Sequence, residues 1–246
     1  MKNVLITGCS SGYGLETARH FHARGWNVFA TMRTPRPDIL PNDDRLHVLE
    51  LDVTDPASIE SALEAAGPID VLVNNAGIGM IGALEATPMQ TIRDTFETNT
   101  FGVIAMTRAV VPQLREQGSG VVVNVTSSVT LAPMPLVSIY AASKHAIEGF
   151  TESLRHELEG FGVAVKLVEP GYGPSTNFSS NSGTAIEDYI PEAYAPFAER
   201  ILAEFQGVEV VTVPAEVAEG VYRAATDESG TLRFPAGPDA VALAAA

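Results

Sequence analysis

Cysteine is almost absent. Cys9 stands alone among 246 residues, so no internal disulfide can staple the chain and an apolar core has to hold it. Positive charge is scarce too, with 15 Lys and Arg against 30 Asp and Glu. A net charge of −15 uninterrupted by any basic cluster repels phosphate backbones and anionic lipid headgroups, which argues against nucleic acid and membrane surfaces as partners. No apolar run is long enough to span a bilayer, no signal-like stretch precedes the first apolar residues, and no repeat or low-complexity linker divides the sequence. These absences predict a soluble, cytoplasmic protein that works on small molecules. Histidines are few and dispersed: His20 and His22 diverge on one helix, His47 lies on a strand, and His145 and His156 lack a third ligand at useful spacing. No metal site is predicted.

What the sequence does have is alternation. Apolar runs at 4–6, 26–32, 46–51, 69–73, 121–125 and 164–168 read as buried strands. Between them lie helical stretches: Leu15, Ala18 and Phe21 up to Gly25, then 56–66 opened by Asp55-Pro56 and broken by Gly67-Pro68, then 88–117 and 138–158. Strands with no polar face belong in a parallel sheet covered on both sides, joined by right-handed crossovers. The expectation is α/β: a single-domain, doubly wound Rossmann fold over residues 1–246 with a mostly parallel central sheet. Ligands in such sheets bind beyond the carboxyl ends of the strands.

Two constellations carry chemistry. Gly8, Gly12 and Gly14 follow the first strand and open the first helix, where a missing Cβ permits a tight turn and lets a pyrophosphate approach backbone N–H groups. Ser10 and Ser11 add hydroxyl donors, and Cys9 in the same loop is either a small packed side chain or a thiol activated by the helix N-terminus. The second constellation is Tyr140 with Lys144 four residues on and Ser127 thirteen residues upstream. Residues four apart share a helix face, so the ammonium is expected to favour the ionised phenol and bring its reference pKa of about 10 toward neutrality.

The run Thr7-Gly8-Cys9-Ser10-Ser11-Gly12-Tyr13-Gly14 resembles the opening of the short-chain dehydrogenase/reductase family. Asp52-Val53, Asn74-Asn75-Ala76-Gly77, Asn99, Asn124-Val125-Thr126-Ser127, Tyr140 to Lys144 and Pro170-Gly171 follow in the family's order, over roughly residues 1 to 176. The Cys-Ser-Ser-Gly opening, the position of Arg33 and the ending Leu232-Arg233-Phe234-Pro235-Ala236-Gly237 look most like the hydroxysteroid and retinol dehydrogenase branch. The resemblance implies a catalytic set of Ser127, Tyr140, Lys144 and Asn99, the last holding a water that links Lys144 to solvent. It also implies that Gly8, Ser10, Ser11, Gly12, Tyr13, Gly14, Asp52, Val53, Asn75, Ala76, Gly77, Tyr140, Lys144, Pro170, Gly171, Ser175 and Thr176 hold a nicotinamide dinucleotide, while Asn74 pins the sheet. Helices containing Asn99 and Tyr140 form intersubunit bundles in many relatives, which implies a homodimer or homotetramer.

Finer choices come from single residues. Strand two ends Thr31-Met32-Arg33 with no carboxylate to repel a 2′-phosphate and with a guanidinium to receive it, so NADP(H) is expected ahead of NAD(H). Ser127, not Ser128, has the family spacing to Asn124 and Tyr140, and Thr130 stands where the family commonly has glycine. Between 175 and 206, Phe178, Tyr189, Tyr194 and Phe197 are scattered among Ser, Asn, Gly and Pro, as in a lid inserted over an apolar carbonyl or alcohol substrate or in a plain capping segment. Leu131, Tyr172, Phe178 and Tyr189 are the expected substrate walls. The reaction expected is interconversion of a ketone and a secondary alcohol. The rivals are a nucleotide-sensing regulator without turnover and a halohydrin-dehalogenase-like relative lacking the dinucleotide site; the intact Ser, Tyr, Lys and Asn set argues against the first, and Gly12, Gly14 and Lys144 against the second.

Overall fold

Seven parallel strands form the sheet of the computed structural model, which describes residues 1–174, 176 and 186–246. They are β1 (Asn3–Ile6), β2 (Asn27–Met32), β3 (Leu46–Glu50), β4 (Val71–Asn74), β5 (Gly120–Val125), β6 (Val163–Pro170) and β7 (Arg233–Ala236), in the order β3-β2-β1-β4-β5-β6-β7. The winding reverses between β1 and β4, where Val4 pairs with Val71 and Ile6 with Val73. That reversal leaves a crevice at the carboxyl ends, where loops from neighbouring strands part to opposite faces.

Both faces are covered, which is why the strands are apolar at successive positions. Val4 and Ile6 pack on the side of α1 (Gly12–Ala23) and α7 (Pro214–Thr226), with Phe21, Trp26, Val217 and Val221. Leu5, between them, faces Ile59 of α2 (Pro56–Ala66) and Met106 and Leu114 of α4 (Gly102–Gln117). Rings of Phe21, Trp26 and Tyr222 meet edge to face, with Phe21 centroids 5.1 and 5.2 Å from the other two. α2 starts as its sequence dictates: the Asp55 carboxylate accepts from Ala57 N at 2.9 Å, Pro56 occupies the first turn, and Gly67 ends the helix at φ +65°.

The predicted helix over 88–117 is three pieces: α3 (Met89–Phe96), a π-helical turn (Glu97–Phe101) and α4. The turn keeps right-handed helical dihedrals at its boundaries, so the sequence reads as continuous helix, yet its wider bonding sets Asn99 and Thr100 inward, both buried. β7 is the second departure. It is a short edge strand containing Pro235, paired to β6 from Leu167↔Arg233 to Pro170↔Ala236, and proline is tolerated there because no further strand needs its missing N–H. α6 (Ala195–Gln206), α7 and α8 (Pro238–Ala244) complete the chain. Among the described residues no helix is long and apolar enough to cross a membrane.

Candidate active site

The loops after β1 and β4 are tied together through Thr7. Its hydroxyl oxygen accepts from Asn75 N at 3.0 Å and Ala76 N at 2.9 Å, while Asn75 Nδ2 donates to Thr7 O at 2.9 Å and Gly8 O at 3.2 Å. Glycine is required at this junction. Gly8 lies at φ +75° with the Ala76 Cα 2.8 Å from where a Cβ would sit, and a Cβ on Gly14 would overlap the Gly8 carbonyl and the Asn75 amide. Ser11 precedes α1 without a side-chain cap, so the first N–H groups of the helix are available to an anion.

A cleft opens along this junction. It is lined by Gly8, Ser10, Ser11, Gly12, Tyr13 and Gly14 at one end, Arg33, Asp52 and Val53 at another, and Asn75, Ala76, Gly77 and Thr176 along its length. Asp52 is occupied locally, accepting from Thr54 N at 2.9 Å and Thr54 Oγ1 at 2.7 Å. Arg36, which the sequence did not single out, donates from its guanidinium to the Ser10 carbonyl and so joins the strand-two loop to the glycine turn. Cys9 is buried, its thiol donating to Ile6 O at 3.2 Å, and burial pushes its pKa up to about 12. Of the two readings of that thiol, the structure has the packed one.

α5 (Ser138–Leu158) presents Tyr140, Lys144 and Glu148 on successive turns of its buried face. Lys144 Nζ lies 5.9 Å from the Tyr140 ring centroid and donates to Val125 O at 3.1 Å. Ser127 begins a short turn after β5 and hydrogen-bonds Tyr140. The expected acidification of the phenol by the lysine is not what this geometry gives. Burial raises the Tyr140 pKa, opposed by the Ser127 hydrogen bond, and burial brings Lys144 down to about 8 against the field of Glu148. Both groups are buried, and withdrawal from water is the largest cause of each shift.

Asn99 fixes the opposite wall. Its Oδ1 accepts from Ile78 N at 2.9 Å, and its Nδ2 donates to Ile78 O at 2.9 Å and Ser143 Oγ at 3.1 Å. A Cβ on Gly77 would lie 3.3 Å from Asn99 Oδ1 and 3.6 Å from Lys144 Nζ, so the two side chains meet across that glycine. Asn74 donates to Thr107 Oγ1 at 3.0 Å and Asn124 Oδ1 at 2.8 Å, pinning β4 to α4 and β5.

Ser127, Tyr140 and Lys144 line a second, apolar pocket. Pro170, Gly171 and Tyr172 form one wall, Met80, Val129 and Val137 another, and Leu202 and Phe205 of α6 the outer side. Tyr172 is held firmly: its N–H donates to Asp239 Oδ2 at 2.6 Å, its carbonyl accepts from Thr212 N at 2.8 Å, and its ring lies 6.0 Å from Phe205. Leu131 is not among the lining residues. Tyr189 packs behind the wall with Met80, Val129, Val137 and Tyr140, its hydroxyl 3.2 Å from Thr91 Oγ1. Ser175 and Phe178 lie outside the described residues, as do 177 and 179–185 of the expected lid, whereas 176 and 186–206 are described. Leu202 and Phe205 were not foreseen, although their spacing on the apolar face of a helix was a readable signal. Tyr13, Asn75, Gly77 and Thr176 line both cavities, and the Tyr13 hydroxyl donates to Gly171 O at 3.3 Å.

A parallel sheet with this order, a glycine turn at its switch point and a Ser-Tyr-Lys set at the neighbouring carboxyl ends is the arrangement of a dinucleotide-fold oxidoreductase. Residues 2–186 match the short chain dehydrogenase family, and the chain belongs to that family of oxidoreductases. The uncharacterized oxidoreductase YusZ of Bacillus subtilis is 40% identical over 253 aligned positions, covering 96% of this chain and 89% of that protein. Retinol dehydrogenase 8 of Bos taurus is 39% identical over 184 positions, covering 69% of this chain and 58% of its own length. Among solved structures, a short-chain dehydrogenase from Streptomyces avermitilis superposes with a TM-score of 0.84 at 37% identity, over 99% of this chain and 90% of that one. Serine dehydrogenase in its closed form complexed with NADP+ gives 0.80 at 28% identity, over 96% and 94%.

Proposed function

We propose that this protein is an NADP(H)-dependent oxidoreductase that interconverts a ketone and a secondary alcohol of apolar character. The observation that carries the reading is that Ser127, Tyr140 and Lys144 together line an apolar pocket that shares four lining residues with the glycine-lined cleft. The cleft fits a dinucleotide: Cβ atoms at Gly8 and Gly14 would fill it or its supports, and the start of α1 has no side-chain cap. Arg33 at the end of β2, with no carboxylate beside it in the cleft lining other than the locally engaged Asp52, supports NADP(H) over NAD(H). Structural neighbours complexed with NADP+ and with NADH support a nicotinamide dinucleotide in the cleft, so the choice between the two rests on Arg33.

Bound there, the nicotinamide supplies or accepts the hydride. Ser127 holds the substrate oxygen by its hydroxyl, and Tyr140 delivers the proton. Lys144 stabilises the phenolate left behind, and Asn99, across Gly77 from the ammonium, carries the proton path toward solvent. The apolar lining and the likeness to a retinol dehydrogenase support a hydrophobic substrate. The homodimer or homotetramer and the cytoplasmic setting belong to the same reading; Phe101, 55% exposed in the π-turn before α4, supports an interface there.

The test is NADPH consumption against a panel of aliphatic and aryl ketones. Turnover of at least one is expected, and Tyr140→Phe should lower kcat about a hundredfold or more while NADPH binding, followed by fluorescence, holds within about threefold. Tight NADPH binding with no ketone consumed would favour the sensor instead, and no NADPH binding would favour the cofactor-free relative.

A further inference from the structure

Glu148 follows Lys144 by one helical turn on α5 and is 6% exposed. Its Oε1 accepts from Thr126 Oγ1 at 2.8 Å and from Thr130 Oγ1 at 3.0 Å. Those two threonines flank the Ser127 turn, whose backbone is held by Thr130 N to Ser127 O at 3.1 Å and Leu131 N to Ser128 O at 2.9 Å, while the Ser127 Oγ receives only Val129 N at 3.4 Å within the turn. The other carboxylate oxygen pairs with the guanidinium of Arg233 on β7, which also pairs with Glu169 on β6 and with Glu152 Oε1 at 2.6 Å. Glu148 is thus fixed from behind and bonded in front to both ends of the serine's turn. The Thr126 hydroxyl lies nearer Glu148 than its other acceptor, Val168 O at 3.2 Å, and the Thr130 hydroxyl lies between Glu148 and Ser127 O, the latter at 2.7 Å, so it links the carboxylate to the serine's own backbone.

Resting on the reading of Ser127 as the group that holds the substrate oxygen, we propose that Glu148 is a positioning residue: through Thr126 and Thr130 it sets the Ser127 hydroxyl in register with Tyr140 of the same helix that carries Glu148. α5 then dictates the placement of all three reacting side chains, two directly and one through this carboxylate. Displacement of a reacting group by about 1 Å costs on the order of a hundredfold in rate, so loosening the turn has a catalytic consequence separate from stability. A carboxylate that merely tied β7 to α5 would affect melting and leave kcat alone.

The experiment compares wild type, Ser127→Ala, Glu148→Ala and the double variant in NADPH consumption with the best ketone of the panel, with thermal melts alongside. Glu148→Ala should lower kcat about tenfold or more with KM within about twofold, and should add no more than about twofold to the loss in Ser127→Ala, because its effect passes through that hydroxyl. Glu148→Gln, whose side-chain oxygen still accepts from both threonines, should recover most of kcat. The Thr126→Val/Thr130→Val pair removes the same bonds without disturbing the ion cluster, and should reproduce the loss if Glu148→Ala does not fold. An equal further loss in both backgrounds, or a lowered melting point with unchanged kcat, would overturn the proposal. Wild-type kcat in Ser127→Ala would instead overturn the parent reading of Ser127.

Discussion

The two cavities differ in what builds them. The glycine-lined cleft is built mainly on backbone: strand ends, tight turns and small residues, most of them between 8 and 77, that come close in space because β1 and β4 are sheet neighbours. The apolar pocket is made of side chains, and its outer wall comes from 170–174, Thr176 and α6. The first is therefore sensitive to any added atom and indifferent to hydrophobicity. The second tolerates exchange of volume and registers the shape of its guest. On the proposed function, one end of the site holds the cofactor common to every turnover and the other selects the substrate.

The sharpest way to break this contrast is at Gly14. Gly14→Val should reduce NADPH affinity about a hundredfold or more, since the new side chain meets the Gly8 carbonyl and the Asn75 amide and displaces the turn that positions the cofactor. Fluorescence titration with circular dichroism checks it; a folded variant with wild-type affinity would show that the turn is not the cradle. Next in size is Arg33→Glu. A charge-assisted bond worth about 1.5–3 kcal/mol corresponds to about a 10–100-fold swing in kcat/KM from NADPH toward NADH, measured with both cofactors at one ketone concentration. No swing would take Arg33 out of phosphate recognition. The smallest effect belongs to the far wall: Tyr172→Ala should raise KM for bulky ketones about fivefold, leave small ones nearly unchanged and keep kcat within about twofold. A fall in kcat for every substrate would mean that Tyr172 shapes the chemistry and not only the fit.

Legibility in the sequence follows the same division. The strands through β6, the bounds of α2 and α5, and the glycine turn can be read from the chain because each is set by local rules: apolar runs, an Asp-Pro start, glycines where a Cβ has no room. Tyr140 and Lys144 share a face by periodicity alone. Beyond residue 170 the local signals thin out. β7 is short and holds a proline, so its strand character comes from pairing with β6 and not from its own residues. The π-turn at Asn99 is invisible because the dihedrals that flank it are helical. Phe205 meets Tyr172 only through the fold. The expectation that Lys144 acidifies Tyr140 missed a quantity no sequence displays, the completeness with which both groups are withdrawn from water.

Tyr13 stands in the phosphate loop yet bonds the carbonyl of Gly171, 158 positions away, and its ring faces both chambers. The floor under one guest is therefore part of the enclosure around the other. One aromatic ring, tied by its hydroxyl to the strand-six end, is thus common property of both chambers, and a change at residue 13 alters the boundary of each at once.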